Sequence, residues 1–264
     1  MASKLVLVTG ASSGIGEATA KRYGASGANV LLLARNVERL EAVANAIRKE
    51  GGTASAFTVD LADARAIDEV AAKIEREAGT PDILINNAGA GRWLPLIDTT
   101  AEEALAMMKV PYLAAFNLTR AFLPKMLARR SGAIACITSP ASYLVWPNAG
   151  AYTAARHALA GFTEALRAEV KGTGLSVTLV VLGIVESPYW EHNPGSREHV
   201  PAVNPMLAPT LSTAEAAQAI FAGVEARTQT VVKPPILRAL FLLNAVAPRL
   251  VARQLRRAIP KQSA

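Results

Sequence analysis

Short apolar runs alternate with longer amphipathic ones along most of the chain, and that alternation limits the fold more than any other feature. Residues 4–8, 29–34, 54–59, 82–85, 133–138 and 175–181 are β-branched or leucine-rich and read as strands. Residues 37–50, 64–78, 101–130 and 151–172 carry helical periodicity and separate them. The strand runs are apolar on both faces, as a parallel sheet requires when helices cover both its sides. Repeated strand–helix units predict an α/β fold: a doubly wound parallel sheet of about seven strands, counting a short one at 230–232. No repeat or linker divides the 264 residues, so 1–264 is expected to form a single domain.

The pattern changes after Gly183. Residues 186–212 hold five prolines and little periodicity, which predicts a lid over a substrate site or a disordered loop. A helix at 213–227 follows, and residues 233–264 form a helical extension broken at Pro248. The formal net charge of +7 belongs to that extension. Seven of the 28 basic residues lie from Lys233 onward with no acid among them, leaving 21 against 21 elsewhere. The body therefore gives no reason to expect a nucleic-acid partner. One cysteine, Cys136, excludes an internal disulfide framework, and three scattered histidines (His157, His192, His199) argue against a metal cluster. The first apolar run stops at Thr9-Gly10, too early for a secretory signal, so a cytoplasmic protein is expected.

The first strand runs directly into Thr9-Gly10-Ala11-Ser12-Ser13-Gly14-Ile15-Gly16 and then a helix from about Gly14. Gly10 allows the tight turn, Gly14 lets backbone amides approach a pyrophosphate, and Gly16 lets the helix pack close to the strand. The helix N-terminus adds free N–H groups and the positive end of its dipole. Residues 10, 12–16 are thus candidates for a dinucleotide site of the Rossmann type. A protein selecting NAD places an acid at the end of the second strand, whereas this chain has Ala34, then Arg35 and Asn36. An arginine fork suits a ribose 2′-phosphate, so NADP(H) is the expected cofactor.

Over residues 4–188 the chain resembles the short-chain dehydrogenase/reductase family. Residues 9–16 match its TGxxxGxG loop, and Asp60-Leu61 stand where the family contacts adenine. Asn86-Asn87-Ala88-Gly89 match its NNAG motif, with Asn87, Ala88 and Gly89 beside the cofactor. Gly183, Val185 and Ser187 lie in the segment that grips the nicotinamide amide, although Leu182 replaces the usual proline. Ser139 and Tyr152, thirteen residues apart, match the catalytic serine and tyrosine. The resemblance also implies a homodimer or homotetramer.

The chemistry can be stated from the residues themselves. Hydride transfer to a ketone builds negative charge on the carbonyl oxygen and needs a positioned proton donor. Tyr152 is that donor when neighbouring positive charge favours its phenolate, and Ser139 orients the same oxygen. The cation belongs at i+4 from the tyrosine, and there the chain has Arg156 where the family has lysine. Arginine keeps the charge and the donors for the ribose hydroxyls but cannot relay a proton. The family's asparagine falls at Pro111, whose ring forces a helix kink and frees the carbonyl of Met107.

Two of four tetrad positions are therefore altered. The leading expectation is an NADP-dependent oxidoreductase acting on a small lipophilic carbonyl or alcohol, and the alternative is a cofactor-binding sensor or scaffold that has lost redox activity. Trp93, Tyr143, Trp146, Tyr189, Trp190 and Met206 are candidates to line an apolar pocket at the sheet's C-terminal edge. Cys136 reads as a small buried hydrophobe, His157 as packing or surface, and His192 and His199 as solvated loop residues. The basic extension either lies on an anionic membrane surface or packs on the body or another subunit.

Overall fold

The computed structural model describes residues 3–200 and 209–257. Its centre is one parallel sheet of seven strands in the order β3-β2-β1-β4-β5-β6-β7. The strands are β1 (Leu5–Thr9), β2 (Asn29–Ala34), β3 (Thr53–Thr58), β4 (Ile83–Asn86), β5 (Gly132–Thr138), β6 (Leu175–Leu182) and β7 (Thr230–Lys233). The helices are α1 (Gly14–Gly24), α2 (Val37–Lys49), α3 (Ala64–Glu77), α4 (Ala101–Met108), α5 (Ala114–Ala128), α6 (Gly150–Glu169), α7 (Tyr189–His192), α8 (Thr213–Glu225), α9 (Ile236–Val246) and α10 (Pro248–Arg257). This is the expected Rossmann-type doubly wound fold.

Side-chain alternation explains the layers. On β1, Val6 and Val8 join residues of α1, α2 and α8 in one apolar layer, while Leu5 and Leu7 join α3 and α5 in the other. All of β1 and β5 is buried, as a strand covered on both faces should be. Helix starts follow from capping residues. Asn36 accepts the Arg39 N–H at 2.8 Å to start α2, and Asp63 accepts the N–H groups of Arg65 and Ala66 to start α3. Thr100 with Glu103, and Ser212 with Glu215, form reciprocal capping boxes on α4 and α8.

The run expected as one helix over 101–130 is two helices joined by a wide turn at 109–113. Val110, immediately before the proline, leaves helical geometry with φ −131° and ψ 108°. The cause is Pro111, which crowds the preceding residue out of the α region and has no N–H to continue the ladder. The Val110 carbonyl turns instead to the Ala90 N–H at 3.4 Å, tying the kink to the loop after β4.

The irregular run after Gly183 is more ordered than its prolines imply, as far as it is described. Val185 bridges Leu211, α7 forms a single turn, and a 3-10 turn covers 197–199. No described helix is long and apolar enough to cross a membrane.

Candidate active site at the C-terminal edge of the sheet

The strand order reverses between β1 and β4, and a cleft opens outside the C-terminal ends of these strands, where open α/β sheets hold ligands. The cleft encloses about 1260 Å³. Every residue assigned above to catalysis or cofactor binding borders it: Gly10, Ser12, Ser13, Gly14, Ile15, Gly16, Arg35, Asn36, Asp60, Leu61, Asn87, Ala88, Gly89, Ser139, Tyr152, Arg156, Gly183, Val185 and Ser187.

One end is a cradle of backbone. A Cβ on Gly16 would stand 2.1 Å from the Gly10 carbonyl oxygen, so only glycine lets α1 approach β1 this closely. Asn87 locks the neighbouring strand to the same turn, its Nδ2 donating to the Thr9 carbonyl at 2.9 Å. The Thr9 hydroxyl accepts the Asn87 and Ala88 N–H groups, both at 2.9 Å. Ser187 arrives from beyond β6, its Cβ about van der Waals distance from where a Gly14 Cβ would lie (3.4 Å). At the β2 end Arg35 is exposed and without an ion-pair partner among the described residues. Arg39, one turn into α2, lines the cleft beside it. The sequence reading missed Arg39, although its i+4 spacing from Arg35 is a visible sign that two guanidinium groups share one helix start.

The other end carries the polar chemistry. The Tyr152 hydroxyl donates to Ser139 Oγ at 3.1 Å, and Ser139 Oγ also accepts the Ala141 N–H at 3.2 Å. With both donors arriving from elsewhere, the serine's own hydrogen remains available to a substrate oxygen. Tyr152 and Arg156 share one face of α6, and the guanidinium carbon lies 4.8 Å from the tyrosine ring centre. Arg156 is 7% exposed and has no carboxylate partner among the described residues. Its Nη1 reaches the Ile137 carbonyl only at 3.5 Å, and its Nε is buried with no partner. A Cβ at Gly89 would come 2.9 Å from Arg156 Nη2, so the NNAG glycine makes room for the larger guanidinium.

Aromatic rings wall this end. Trp93 packs on Tyr152 at 5.5 Å and on Trp146 at 6.1 Å between ring centres, and Tyr189 meets Trp190 edge to face. Burial and the neighbouring Tyr152 hold the Tyr189 phenol protonated well above the usual range, and it donates to the Gly91 carbonyl. Asn193 Oδ1 accepts the Gly91 N–H at 3.2 Å, Ser196 Oγ accepts the Trp93 N–H at 3.2 Å, and Arg92 Nε donates to the Pro194 carbonyl at 3.1 Å. Residues 189–196 are thereby fastened across the loop at 91–93.

Some expectations change. Tyr143 does not line the cleft but packs on Phe241 of α9 with ring centres 4.7 Å apart. Met206 lies outside the described residues. His192 borders the cleft, whereas His157 is exposed and bonded to the Thr153 carbonyl. Cys136 is buried, and its thiol is pushed up to about 11 by that burial. Helices α9 and α10 also contribute wall residues, among them Leu240, Leu243 and Leu255, which the basic composition of the extension had hidden.

Comparison with known proteins agrees with this fold. Residues 4–197 match the family model described as short chain dehydrogenase. A short chain dehydrogenase of Pseudocercospora fijiensis is 37% identical over 186 residues, covering 70% of this chain and 60% of that protein's length. A fatty acyl-CoA reductase of Acinetobacter baylyi is 36% identical over 235 residues, covering 86% of this chain and 75% of its own. Among solved structures, a short-chain dehydrogenase from Sphingobium yanoikuyae in complex with NADPH superposes with a TM-score of 0.79 at 25% identity, over 99% of this chain and 98% of that one.

Proposed function

Because the chain belongs to the short-chain dehydrogenase/reductase family, we propose that it uses NADP(H) to interconvert a carbonyl compound and a secondary alcohol on a lipophilic substrate. The observation that carries this reading is the Tyr152–Ser139 hydrogen bond of 3.1 Å, set over a buried Arg156 inside an aromatic wall.

Three features of the chain fit the cofactor. The glycine cradle at residues 10–16 leaves a pyrophosphate direct access to backbone N–H groups at the start of α1. The orphaned Arg156 Nε is a buried donor that ribose hydroxyls would satisfy. Arg35, with Arg39 one turn on, would hold a 2′-phosphate through charge-assisted hydrogen bonds. When bound, NADPH supplies a hydride to the carbonyl carbon.

The protein's own groups handle the oxygen. Ser139 Oγ–H donates to the carbonyl oxygen and fixes its position, and Tyr152 gives it a proton as negative charge develops. The permanent charge of Arg156 stabilises the phenolate left behind, while its lack of a removable proton excludes it from any relay. In the oxidative direction Tyr152 takes the alcohol proton instead. The cleft volume of about 1260 Å³ exceeds the usual range for a single ligand and accommodates cofactor and substrate together. Trp93, Trp146 and Trp190 favour an apolar substrate, as does the resemblance to a fatty acyl-CoA reductase. The family resemblance supports a homo-oligomer associating through α5 and α6.

The test is a titration with NADPH and NADH followed by nicotinamide fluorescence, repeated on Arg35→Ala. NADPH should bind more tightly, and the substitution should weaken it by about 10- to 100-fold while sparing NADH. Equal affinity for both nucleotides, unchanged by Arg35→Ala, would overturn the cofactor assignment. The rival reading, a scaffold without redox chemistry, draws on Pro111 and Arg156, and it predicts cofactor binding with no turnover on any carbonyl.

A further inference from the structure

Helix α9 is apolar almost all round, with Arg238 and Asn244 its only polar side chains. Such a helix is ordinarily covered on every side. Here one side is covered: Leu237 is buried, Phe241 packs on Tyr143, and Asn244 donates to the Tyr143 carbonyl at 3.0 Å. A second arc, carrying Ile236, Leu240 and Leu243, borders the substrate cleft. The third arc faces outward with Leu242 71% and Val246 82% exposed. Helix α10 follows after one residue and is amphipathic in the opposite sense. Val251 is buried and Leu255 borders the cleft, while Arg249, Arg253 and Arg256 are exposed on one face with Leu250 beside them. None of these arginines has an ion-pair partner among the described residues, and no acid occurs from Lys233 to the end of the chain.

We propose that α9 and α10 seat the protein on an anionic lipid surface, with the cleft wall built by these helices turned toward the bilayer. The exposed leucine and valine side chains enter the acyl boundary, and the arginines meet lipid phosphates. A solvated cationic helix alone would explain the arginines, but it leaves the outward apolar arc of α9 without a reason to exist. Because the same helices wall the cleft, a lipophilic substrate passes from the bilayer without crossing water. That last step rests on the lipophilic-substrate reading above, and the docking itself does not.

The experiment is co-sedimentation of the full chain with vesicles of phosphatidylcholine alone and with about 30% phosphatidylglycerol added, with NADPH affinity measured on the same preparations. The protein should pellet with the mixed vesicles, and added salt should release it. Arg249→Gln, Arg253→Gln and Arg256→Gln together should weaken binding by about a hundredfold, near fivefold per charge, and the corresponding lysine substitutions should preserve it. Leu242→Ser with Val246→Ser should also release the protein while leaving NADPH affinity unchanged. Failure to pellet with the mixed vesicles overturns the proposal, as does equal binding to neutral vesicles that ignores the arginine substitutions. A dimer dissociated by Leu242→Ser and Val246→Ser, without vesicle binding, also overturns it and shows that a second copy covers the arc. Loss of NADPH binding in the unaltered chain would sink the enzymatic reading and leave the vesicle result standing.

Discussion

In the proposed mechanism Arg156 is the residue on which the chemistry turns. It is buried against the Tyr152 ring, fitted into the space that Gly89 leaves, and its Nε has no partner. A lysine there would keep the charge but lose the guanidinium's contact with the ring and leave a gap where the guanidinium lies. Arg156→Lys is therefore expected to lower kcat/KM by about tenfold or more and to weaken NADPH binding, read by steady-state kinetics and titration. A gain in rate on a broad carbonyl panel would instead mark the site as a decayed form of the lysine-bearing one. The sequence displayed this substitution plainly, because residues four apart share a helix face and position 156 follows from Tyr152. It offered Tyr189 only as a pocket-lining ring, not the bond from its hydroxyl to the Gly91 carbonyl, a contact that no local spacing records.

Among the elements, the segment from Tyr189 to Ser196 is the one whose order has the most specific cause. Asn193 is buried, accepting the Gly91 N–H and donating to the Tyr189 carbonyl at 2.8 Å. Asn193→Ala leaves both groups unpaired, at a cost of about 1–3 kcal/mol for a buried orphan. The melting temperature should fall by about 2–4 °C per kcal/mol, and proteolysis between residues 186 and 200 should quicken. Unchanged melting and unchanged cleavage would show that the segment is held by its aromatic contacts alone. The strands and major helices were legible because burial on two faces and helical periodicity are local signals, and the observed ends differ by three residues at most. The kink at Val110 was legible for the same reason, since proline acts on its immediate neighbour. Helices α9 and α10 were legible as helices and not as cleft walls. Their arginines dominated the composition, while Leu240, Leu243 and Leu255 meet the cleft only through tertiary packing.

At the scale of the whole molecule, the switch between β1 and β4 opens the cleft at a single edge of the sheet and gives the remainder to packing. That packing carries its own pH signature. The Cys136 thiol is pushed up to about 11 by burial, and the Tyr23 phenol is raised mainly by the same cause. Both groups stay neutral in the folded chain, so the unfolded chain ionises first. Their contribution to stability is complete below the ordinary thiol value of 9.0 and declines as pH rises through about 11, by up to about 1.4 kcal/mol per pH unit for each group. The urea midpoint should fall between about pH 9 and pH 11, and Cys136→Ala should flatten part of that fall. A midpoint independent of pH over this range would contradict the burial of both groups.

The central claim is that Tyr152 exchanges the proton in an NADP(H)-dependent interconversion of carbonyl and alcohol. Its most direct test is kcat on the best substrate from a panel of lipophilic aldehydes and ketones, for the unaltered chain and for Tyr152→Phe, with NADPH affinity measured alongside. The substitution should lower kcat by about 10²- to 10⁴-fold and change NADPH affinity by no more than about twofold. Turnover that survives Tyr152→Phe at its full rate would contradict the account.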